Sequence, residues 1–327
     1  MDIAIRPQLS RADVEALVRD RLGGDLQVVA HEEFKDGFFN AAHAVTLADG
    51  RDLVVKVAPD PELKLLRYEV DLMATEIECF ERAGAAGVPM PRLWHTDAVG
   101  GVMIMDRLKG ISLPKAKERM SGPELLALRR EIGALSARLN TADGERFGYP
   151  RKSGRTGSDS WAASFMAMMD DLLADADEFD APLPRPAAEI RRIVAAHRPL
   201  LDAVERPALV HFDLWDGNIF VEPGESGWRV EGFIDGERAF YGDALAELVS
   251  LLFVSDEEAA AVIDGFLGRE LTDDERRRLS LYQVYLWLIL ITECEVRGFE
   301  PEQTAAQRSW ATENLVRDLA FLESQRL

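Results

Sequence analysis

The sequence predicts an α+β protein in two parts, an antiparallel sheet with a helix followed by a mostly helical part. Three short β-prone runs lie near the N-terminus, at 26–34, 40–48 and 51–57, and Asp49-Gly50 is a hairpin-turn pair between the last two. Beyond residue 110, apolar residues recur mainly at helical spacing. We place the boundary at a polar connector over 106–110, which gives domains 1–106 and 107–327.

The N-terminal part also contains two predicted helices and a further strand. One helix follows Ser10 and ends at Gly23-Gly24, and a second covers roughly 62–82. The buried stripe of the second helix consists of Leu66, Val70, Met73, Ile77 and Phe80. The run 102–105 is another buried strand, and it leads into the connector.

The C-terminal part is predicted from start signals and apolar periodicity. A capping pattern at Ser121 opens a helix to about 140, and a helix from about 161 ends in an acidic run over 170–180. Further helices cover 189–201, 245–253, 256–267, 272–295 and 301–323. Between them, β-prone runs at 219–221 and 228–234 flank a turn and form a hairpin.

Composition narrows the function classes. The formal net charge of −20 argues against a nucleic-acid partner, because phosphates require a basic footprint. An acidic surface attracts a cationic small molecule, although the charge alone is explained equally well by solubility. Residues 1–6 do not have the pattern of a signal peptide, and the longest uncharged apolar run, 279–292, is too short to cross a bilayer. We therefore expect a cytoplasmic monomer or homodimer without a membrane partner.

Residues 210–221 and 232–236 carry the pattern that points to chemistry. His211, Asp213 and Asn218 have the spacing of a phosphoryl-transfer catalytic loop, and Asp235 follows the next strand. An Asp near a hydroxyl can take its proton, whereas an Asn and a second Asp offer oxygen ligands to Mg²⁺ on the phosphates of ATP. The hairpin between Asn218 and Asp235 should bring the two together. Each alone is more often an ordinary turn residue, but their order and spacing favour a site.

Lys56 is a lone cation within the apolar run 53–57. It is either a residue whose ammonium reaches water from an edge strand or a phosphate ligand that needs a carboxylate partner. Glu69 and Glu76 both border the buried stripe of the following helix and are candidate partners. Gly37 lies in the first connection between strands, which is either a nucleotide-covering loop or a plain hairpin turn.

These motifs resemble the aminoglycoside phosphotransferase family, small-molecule kinases with a two-lobed protein-kinase-like fold. The matching stretches are Val-Val-Lys56-Val, Thr-Glu76-Ile-Glu-Cys-Phe, Val88-Pro-Met-Pro-Arg, Met103 to Gly110, His211 to Val221 and Phe233 to Asp243. They span roughly residues 30 to 250 in family order. The spacing from Glu76 to Val88 favours Glu76 over Glu69 as the partner of Lys56.

The resemblance implies ATP and Mg²⁺ as cofactors and a role for each matching residue. At the nucleotide, Lys56 would hold the phosphates with Glu76 orienting it, Asp106 and Leu108 would offer backbone hydrogen bonds to adenine with Met105 behind the ring, and Gly37 would belong to the nucleotide loop. Asp213 would be the catalytic base, and Asn218 and Asp235 would bind Mg²⁺. His211 and Asp243 would brace the catalytic loop. Three positions depart from the common family pattern, namely Phe212 for Gly, Gly236 for Trp and Glu247 for Asp.

The acceptor site is the least defined part of the prediction. Candidate substrate contacts are Trp161, Asp170, Asp216, Glu237, Glu293 and Glu295. Carboxylates in the acidic run could pair with ammonium groups of a substrate, or they could simply form the exposed face of a helix.

Phosphorylation of a hydroxyl on an antibiotic such as an aminoglycoside is the leading function. A metabolic kinase of a sugar, amino sugar or choline-like alcohol is the alternative, and a non-catalytic nucleotide-binding protein is the third. A kinase of proteins is disfavoured because the chain lacks Asp-Phe-Gly and Ala-Pro-Glu.

Overall fold

The computed structural model describes residues 6–34, 39–150, 155–225 and 227–325. Its N-terminal lobe is built on a five-stranded antiparallel sheet with the strand order β1-β2-β3-β5-β4. The elements are α1 (Arg11–Leu22), β1 (Val28–Phe34), β2 (Ala41–Leu47), β3 (Asp52–Val57), α2 (Leu72–Ala85), β4 (Leu93–Asp97) and β5 (Val102–Asp106). The predicted sheet is confirmed, and β4 is an additional edge strand.

The C-terminal lobe is mostly helical, as predicted. Its elements are β6 (Ile111–Ser112), α3 (Leu113–Lys117), α4 (Gly122–Leu139), α5 (Trp161–Glu178), α6 (Ala187–Ala196), α7 (Arg198–Asp202), β7 (Ala208–Val210), β8 (Ile219–Gly224), β9 (Gly227–Phe233), β10 (Phe240–Gly242), α8 (Leu248–Leu251), α9 (Asp256–Leu267), α10 (Asp273–Val296) and α11 (Pro301–Ser324). The hairpin β8–β9 is extended by β6 into a three-stranded sheet, and β7 pairs with β10.

The helix α2 begins at Leu72 rather than near 62, so the predicted start is wrong. The preceding segment instead lies against α5, where Asp175 Oδ2 accepts the backbone N–H of Arg67 at 2.8 Å. Asp71 adopts a left-handed conformation at φ 59°, which ends the irregular segment and starts the helix. Val70, predicted to be buried, is consequently 51% exposed.

Two other predicted helices are interrupted. The predicted helix over 189–201 divides into α6 and α7 at His197, because Pro199 supplies no N–H to continue the hydrogen-bond ladder of α6. The predicted helix over 245–253 begins as a 3-10 turn at Ala244–Glu247 before α8.

The core of the C-terminal lobe is organised around α10. This helix is long and apolar enough to cross a membrane by composition alone, but 78% of its apolar window is buried inside the protein. Tyr282, Tyr285 and Trp287 are almost completely buried, and burying one large apolar side chain contributes roughly 1.5–3 kcal/mol. The helix is therefore the central core helix of this lobe.

The connector between the lobes is fixed to the hairpin. Glu231 of β9 accepts the backbone N–H groups of Lys109 and Gly110, each at 2.7 Å. One carboxylate thus holds the segment that follows β5 against the strands that carry Asn218 and Asp235 at their ends.

Candidate active site

The loop from His211 to Asn218 connects β7 to β8 and is held by a buried histidine. His211 Nδ1 accepts the backbone N–H of Asp213 at 3.3 Å, and Nε2 lies 3.0 Å from the carbonyl oxygen of Ile234. Burial lowers the pKa of His211 to about 4, so the ring is neutral and its Nε2–H donates to Ile234. One ring therefore ties the backbone of Asp213 to the residue that precedes Asp235.

Two departures from the common family pattern also anchor this loop. Phe212 has a left-handed φ of 69°, a conformation that favours glycine, and its ring packs on Phe240 and Tyr285 in the core. Glu247 is fully buried and accepts the backbone N–H of His211 at 2.8 Å. Burial raises the pKa of Glu247 to about 7. Phe212 thus holds the loop through packing in the core, and Glu247 holds it through a hydrogen bond to its backbone.

Asp213 and Asn218 lie side by side in the loop. The Asn218 side-chain N–H donates to the carbonyl oxygen of Asp213 at 2.8 Å, and this leaves the amide oxygen of Asn218 as a ligand atom. The carbonyl oxygen of Asn218 accepts the backbone N–H of Ile234 at 3.0 Å, which brings Asn218 beside Asp235 as the hairpin predicted.

The carboxyl group of Asp213 has the properties of a proton acceptor. Burial, together with the neighbouring carboxylates, raises its pKa to about 7 although the nearby guanidinium of Arg238 opposes this rise. Arg238 Nε lies 3.8 Å from Asp213 Oδ2, beyond a direct hydrogen bond. A base that titrates near neutral pH is well matched to accept a hydroxyl proton.

Lys56 is buried at the centre of an acidic cluster. Its Nζ lies 2.6 and 2.8 Å from the two carboxylate oxygens of Glu76, 2.7 Å from Asp235 Oδ1 and 3.7 Å from Glu237 Oε2. Burial opposes the charge, but the three carboxylates outweigh it and raise the pKa of Lys56 well above its usual value. Gly236 allows α2, which carries Glu76, to pack closely against the turn after Asp235, because an added Cβ would lie 2.8 Å from the Cys79 sulfur of α2.

The oxygen atoms of this cluster suit a hard divalent cation. One carboxylate oxygen from each of Glu76, Asp235 and Glu237 lies within 4.8 Å of the others. Three carboxylates against one lysine leave excess negative charge, and oxygen is the donor that Mg²⁺ prefers. Asp235 adopts a left-handed φ of 66°, a strained conformation of the kind found at functional sites. Asp235 belongs both to this cluster and to the predicted pair with Asn218; Lys56 binds its Oδ1, and Asn218 keeps its amide oxygen, so these two residues fit Mg²⁺.

The connector after β5 offers one free backbone donor where the resemblance implies adenine. Within the described residues, the N–H of Leu108 has no protein acceptor. The Asp106 N–H is bonded to the carbonyl of Arg92 at 2.9 Å, and Met105 is a buried residue of β5. Gly37 lies outside the described residues.

A second set of buried charges lies near Asp213 and adjoins the Lys56 cluster through Glu237. Glu293 of α10 accepts from Arg238 Nη2 at 2.8 Å, and Glu69 pairs with Arg297 just beyond α10. Glu237 accepts from the side-chain N–H of Asn40 at 2.7 Å. Glu76, not Glu69, is thus the partner of Lys56, as the family spacing indicated.

Known proteins resemble this chain in both sequence and fold. The model of the phosphotransferase enzyme family, designated APH, matches residues 31–282, which is more than half of the chain. The chain belongs to this family. It is a phosphotransferase. A search of curated proteins found no match.

Solved structures share the fold of this phosphotransferase at low sequence identity. A candidate fructosamine-3-kinase from Thermobifida fusca is 24% identical, with a TM-score of 0.69 over 95% of this chain and 100% of that one. The ternary complex of APH(2″)-IIa with streptomycin and ATP is 15% identical, with a TM-score of 0.64 over 96% and 99%. A choline/ethanolamine kinase family protein from Mesorhizobium loti is 20% identical, with a TM-score of 0.60 over 95% and 98%.

One predicted acceptor contact of the phosphotransferase, Trp161, is wrong, and a second, Asp170, is paired within the protein. Trp161 is completely buried, donates from Nε1 to the Tyr282 hydroxyl at 2.9 Å and stacks on Phe240. Asp170 lies on the exposed side of α5 and pairs with Arg191 of α6 at 2.6 Å. The apolar periodicity around Trp161 was therefore the signal of a core helix and not of a pocket.

Three other predicted residues are occupied by protein partners. Asp216 forms ion pairs with Arg129 and Lys117, which turns its carboxylate away from an acceptor role. Glu295 pairs with Arg308 of α11. Asp243 accepts from the Tyr282 hydroxyl at 2.7 Å and from the backbone N–H of Leu245, so it binds α10 and its own turn and not the catalytic loop that it was predicted to brace. Glu237 and Glu293 are the predicted acceptor residues that do lie near Asp213.

The acidic run of α5 is largely neutralised. Asp175 and Glu178 both pair with Arg67, and Glu178 also pairs with Lys64. Asp171 pairs with Arg155. This run therefore does not form a free acidic surface for a cationic substrate.

Arg238 and Arg129 were not among the site residues predicted from the sequence. Arg238 stands three residues after Asp235, and a charge so close to a predicted metal ligand was a usable signal. Arg129 falls on the apolar face of α4 between Leu128 and Ile132, where a charged residue requires a buried partner. The partners themselves come from distant segments and could not be read from the sequence.

Proposed function

We propose that this phosphotransferase transfers the γ-phosphate of ATP, with Mg²⁺, to a hydroxyl group of a small molecule that carries an amine. The observation that carries the proposal is the grouping of these side chains: Lys56 binds Asp235, Asn218 binds the backbone of Asp213, and the buried carboxylates of Glu237 and Glu293 act on Asp213. ATP and ADP in structures of the same fold support nucleotide use.

In this mechanism Asp213 accepts the proton of the acceptor hydroxyl while the hydroxyl oxygen attacks the γ-phosphorus and ADP leaves. Lys56 binds the phosphates and is directed by Glu76. Bound Mg²⁺, held by Asn218 and Asp235, would supply neutralisation of phosphate charge. The positive charge of Arg238, 3.8 Å from Asp213, favours the ionised form of Asp213.

The charge around Asp213 supports an amine-bearing acceptor. The carboxylates near Asp213 are Glu69, Glu237 and Glu293, and the guanidinium groups are Arg238 and Arg297, of which Arg297 pairs with Glu69 and lies 3.8 Å from Glu293. With Asp213 included, the carboxylates outnumber the guanidinium groups. A compact cation or amino sugar fits this balance. Because the acidic run of α5 is already paired, a small amine-bearing metabolite is the first candidate.

An aminoglycoside antibiotic is the second candidate, since structures of the same fold contain streptomycin and gentamicin. The names of other neighbours refer to fructosamine and to choline or ethanolamine. These names mark the acceptor classes worth assaying.

A coupled assay of ADP release tests the proposal. The acceptors are fructosamine, choline, ethanolamine, streptomycin and gentamicin, with a neutral polyol as a charge control and Asp213→Asn as the catalytic control. We expect acceptor-dependent ADP release with at least one amine-bearing compound and none from the variant. A polycationic acceptor should also show a steep fall in kcat/KM with salt, because screening acts within about 8–10 Å. Turnover of the neutral polyol alone would refute the amine requirement.

A further inference from the structure

Four charged side chains from four separate elements meet at the catalytic loop, apart from the nucleotide and acceptor residues. We call them the Arg129 cluster: Lys117 of α3, Arg129 of α4, Asp216 of the loop and Glu258 of α9. Arg129 is completely buried, so its charge requires these partners.

Arg129 grips Asp216 with two parallel hydrogen bonds. Nη1 and Nη2 donate to Oδ1 and Oδ2 of Asp216, the second at 2.8 Å. Nε and Nη2 also donate to Glu258 Oε2, at 2.8 and 2.7 Å. A two-pronged bond to a carboxylate fixes both its position and its plane. Lys117 Nζ adds contacts to Asp216 at 3.2 Å and to Glu258 at 3.0 Å.

Asp216 begins the short turn that presents Asn218. The residues Asp216–Asn218 form a single 3-10 turn, in which the Asn218 N–H donates to the Trp215 carbonyl at 2.9 Å. The side chain of Asn218 in turn donates to the carbonyl oxygen of Asp213. A displacement of Asp216 therefore moves a predicted metal ligand and disturbs the backbone of the predicted base.

We propose that Arg129 is a positioning residue that acts through Asp216 to hold Asn218 in place for the metal ion. The proposal rests on the function proposed above for Asn218 and Asp213. Arg129 does not touch the nucleotide or the acceptor in this account. Loss of a side chain that orients a metal ligand commonly weakens metal affinity or activity by about 10–100-fold.

The packing of α4 on α9 has its own determinants. An added Cβ at Gly133 of α4 would collide with the carbonyl of Val262, and one at Gly265 of α9 would collide with the carbonyl of Arg130. The two helices are thus in close backbone contact at these glycines. Helix packing alone gives no reason for Arg129 to reach a carboxylate in the catalytic loop.

Binding of a non-hydrolysable ATP analogue, measured by calorimetry with and without Mg²⁺, tests the proposal without an acceptor. In Asp216→Asn, one acceptor oxygen becomes an NH₂ donor that faces Arg129, which breaks the two-pronged bond. Arg129→Lys keeps the positive charge but cannot form the two parallel hydrogen bonds to Asp216. We expect both variants to need about 10–100-fold more Mg²⁺ to reach the wild-type gain in nucleotide affinity, with unchanged affinity in the absence of metal.

Two further variants separate positioning from stability. Glu258→Gln neutralises the carboxylate partner of Arg129 that lies outside the catalytic loop. It should lower Tm much as Asp216→Asn does while shifting the Mg²⁺ requirement less. Asp264→Asn breaks the exposed Arg130–Asp264 pair between the same two helices and should change neither quantity. Thermal melts of all four variants give the folded fraction.

Equal Mg²⁺ requirements for Asp216→Asn, Glu258→Gln and the wild type would overturn the positioning role and leave only a structural one. If Arg129→Lys does not fold, Asp216→Asn alone decides. A wild-type protein whose nucleotide affinity ignores Mg²⁺ would overturn both this inference and the metal assignment. Normal Mg²⁺ dependence without turnover of any acceptor would instead count against the proposed function alone.

Discussion

Replacing Asp213 by Asn should abolish most activity and at the same time stabilise the protein. The amide is close in shape to the carboxyl group but cannot accept the hydroxyl proton, so turnover should fall about 10²–10⁴-fold. The stability gain follows from burial, which raises the pKa of Asp213 from an ordinary 3.8 to about 7. The folded protein therefore carries an ionised carboxylate in an unfavourable place.

The size of the gain follows from that pKa difference. Each pKa unit that separates the folded from the unfolded state is worth about 1.4 kcal/mol, so full ionisation costs up to about 4 kcal/mol. Unfolded chains lose this proton near pH 4 and folded chains near pH 7. The wild type therefore loses stability relative to Asp213→Asn as the pH rises through this window, and the difference levels off above about pH 8.

Thermal melts between pH 4 and 8 measure this difference. With an unfolding entropy of about 2.1 cal/mol/K per residue over the 327 residues, 4 kcal/mol corresponds to a rise in Tm of about 6 °C. Asp170→Asn, on the exposed side of α5, is the matched control and should shift stability by less than about 0.5 kcal/mol. A variant that keeps wild-type turnover, or whose Tm gain does not grow with pH, would refute the reasoning.

Substitutions at three further residues probe the remaining roles. Lys56→Ala should raise the KM for ATP and lower turnover, and Lys56→Arg should not restore them, because a planar fork cannot replace a compact ammonium; an unchanged KM would show that Lys56 only fills the strand. Asp235→Asn should raise the Mg²⁺ requirement while the protein remains folded, and an unaltered metal titration would remove Asp235 from the metal site. Wild-type kcat/KM should fall as the pH drops through about 7, since protonated Asp213 cannot act as a base. Arg238→Met removes a cation that favours the ionised carboxylate, so it should move this limb to higher pH; a limb that stays in place would show that Arg238 does not act on Asp213.

The sequence predicts much of the fold because local signals agree with tertiary structure over most elements. The capping pattern at Ser121 and the hairpin after Asn218 are present in the structure. The start of α2 could not be predicted, because apolar spacing continued through Val70 while a distant carboxylate, Asp175, held the preceding backbone in another conformation. Hydrogen bonds between residues so far apart in the sequence cannot be predicted from a local pattern of apolar residues.

Part of the candidate site could likewise be predicted from the sequence, and part could not. Lys56, Glu76 and the catalytic loop could be predicted, because their residue types and spacing along strands and a hairpin are visible in the sequence. The acceptor side could not, because it is assembled from Arg238, Glu293 and other residues that only the packing of α10 brings together. Trp161 shows the opposite error, since a large aromatic residue at helical spacing was assigned to a pocket and lies in the core.

The most direct test of the central claim is the transfer of the γ-phosphate itself. ATP labelled at the γ-position is incubated with the purified protein, Mg²⁺ and the acceptor that gives the most ADP release, and the products are separated and weighed by mass spectrometry. We predict label in an acceptor heavier by one phosphate group, formed in step with ADP by the wild type and not by Asp213→Asn. Label found only in free phosphate, or equal labelled product from both proteins, would contradict the claim that Asp213 activates an acceptor hydroxyl.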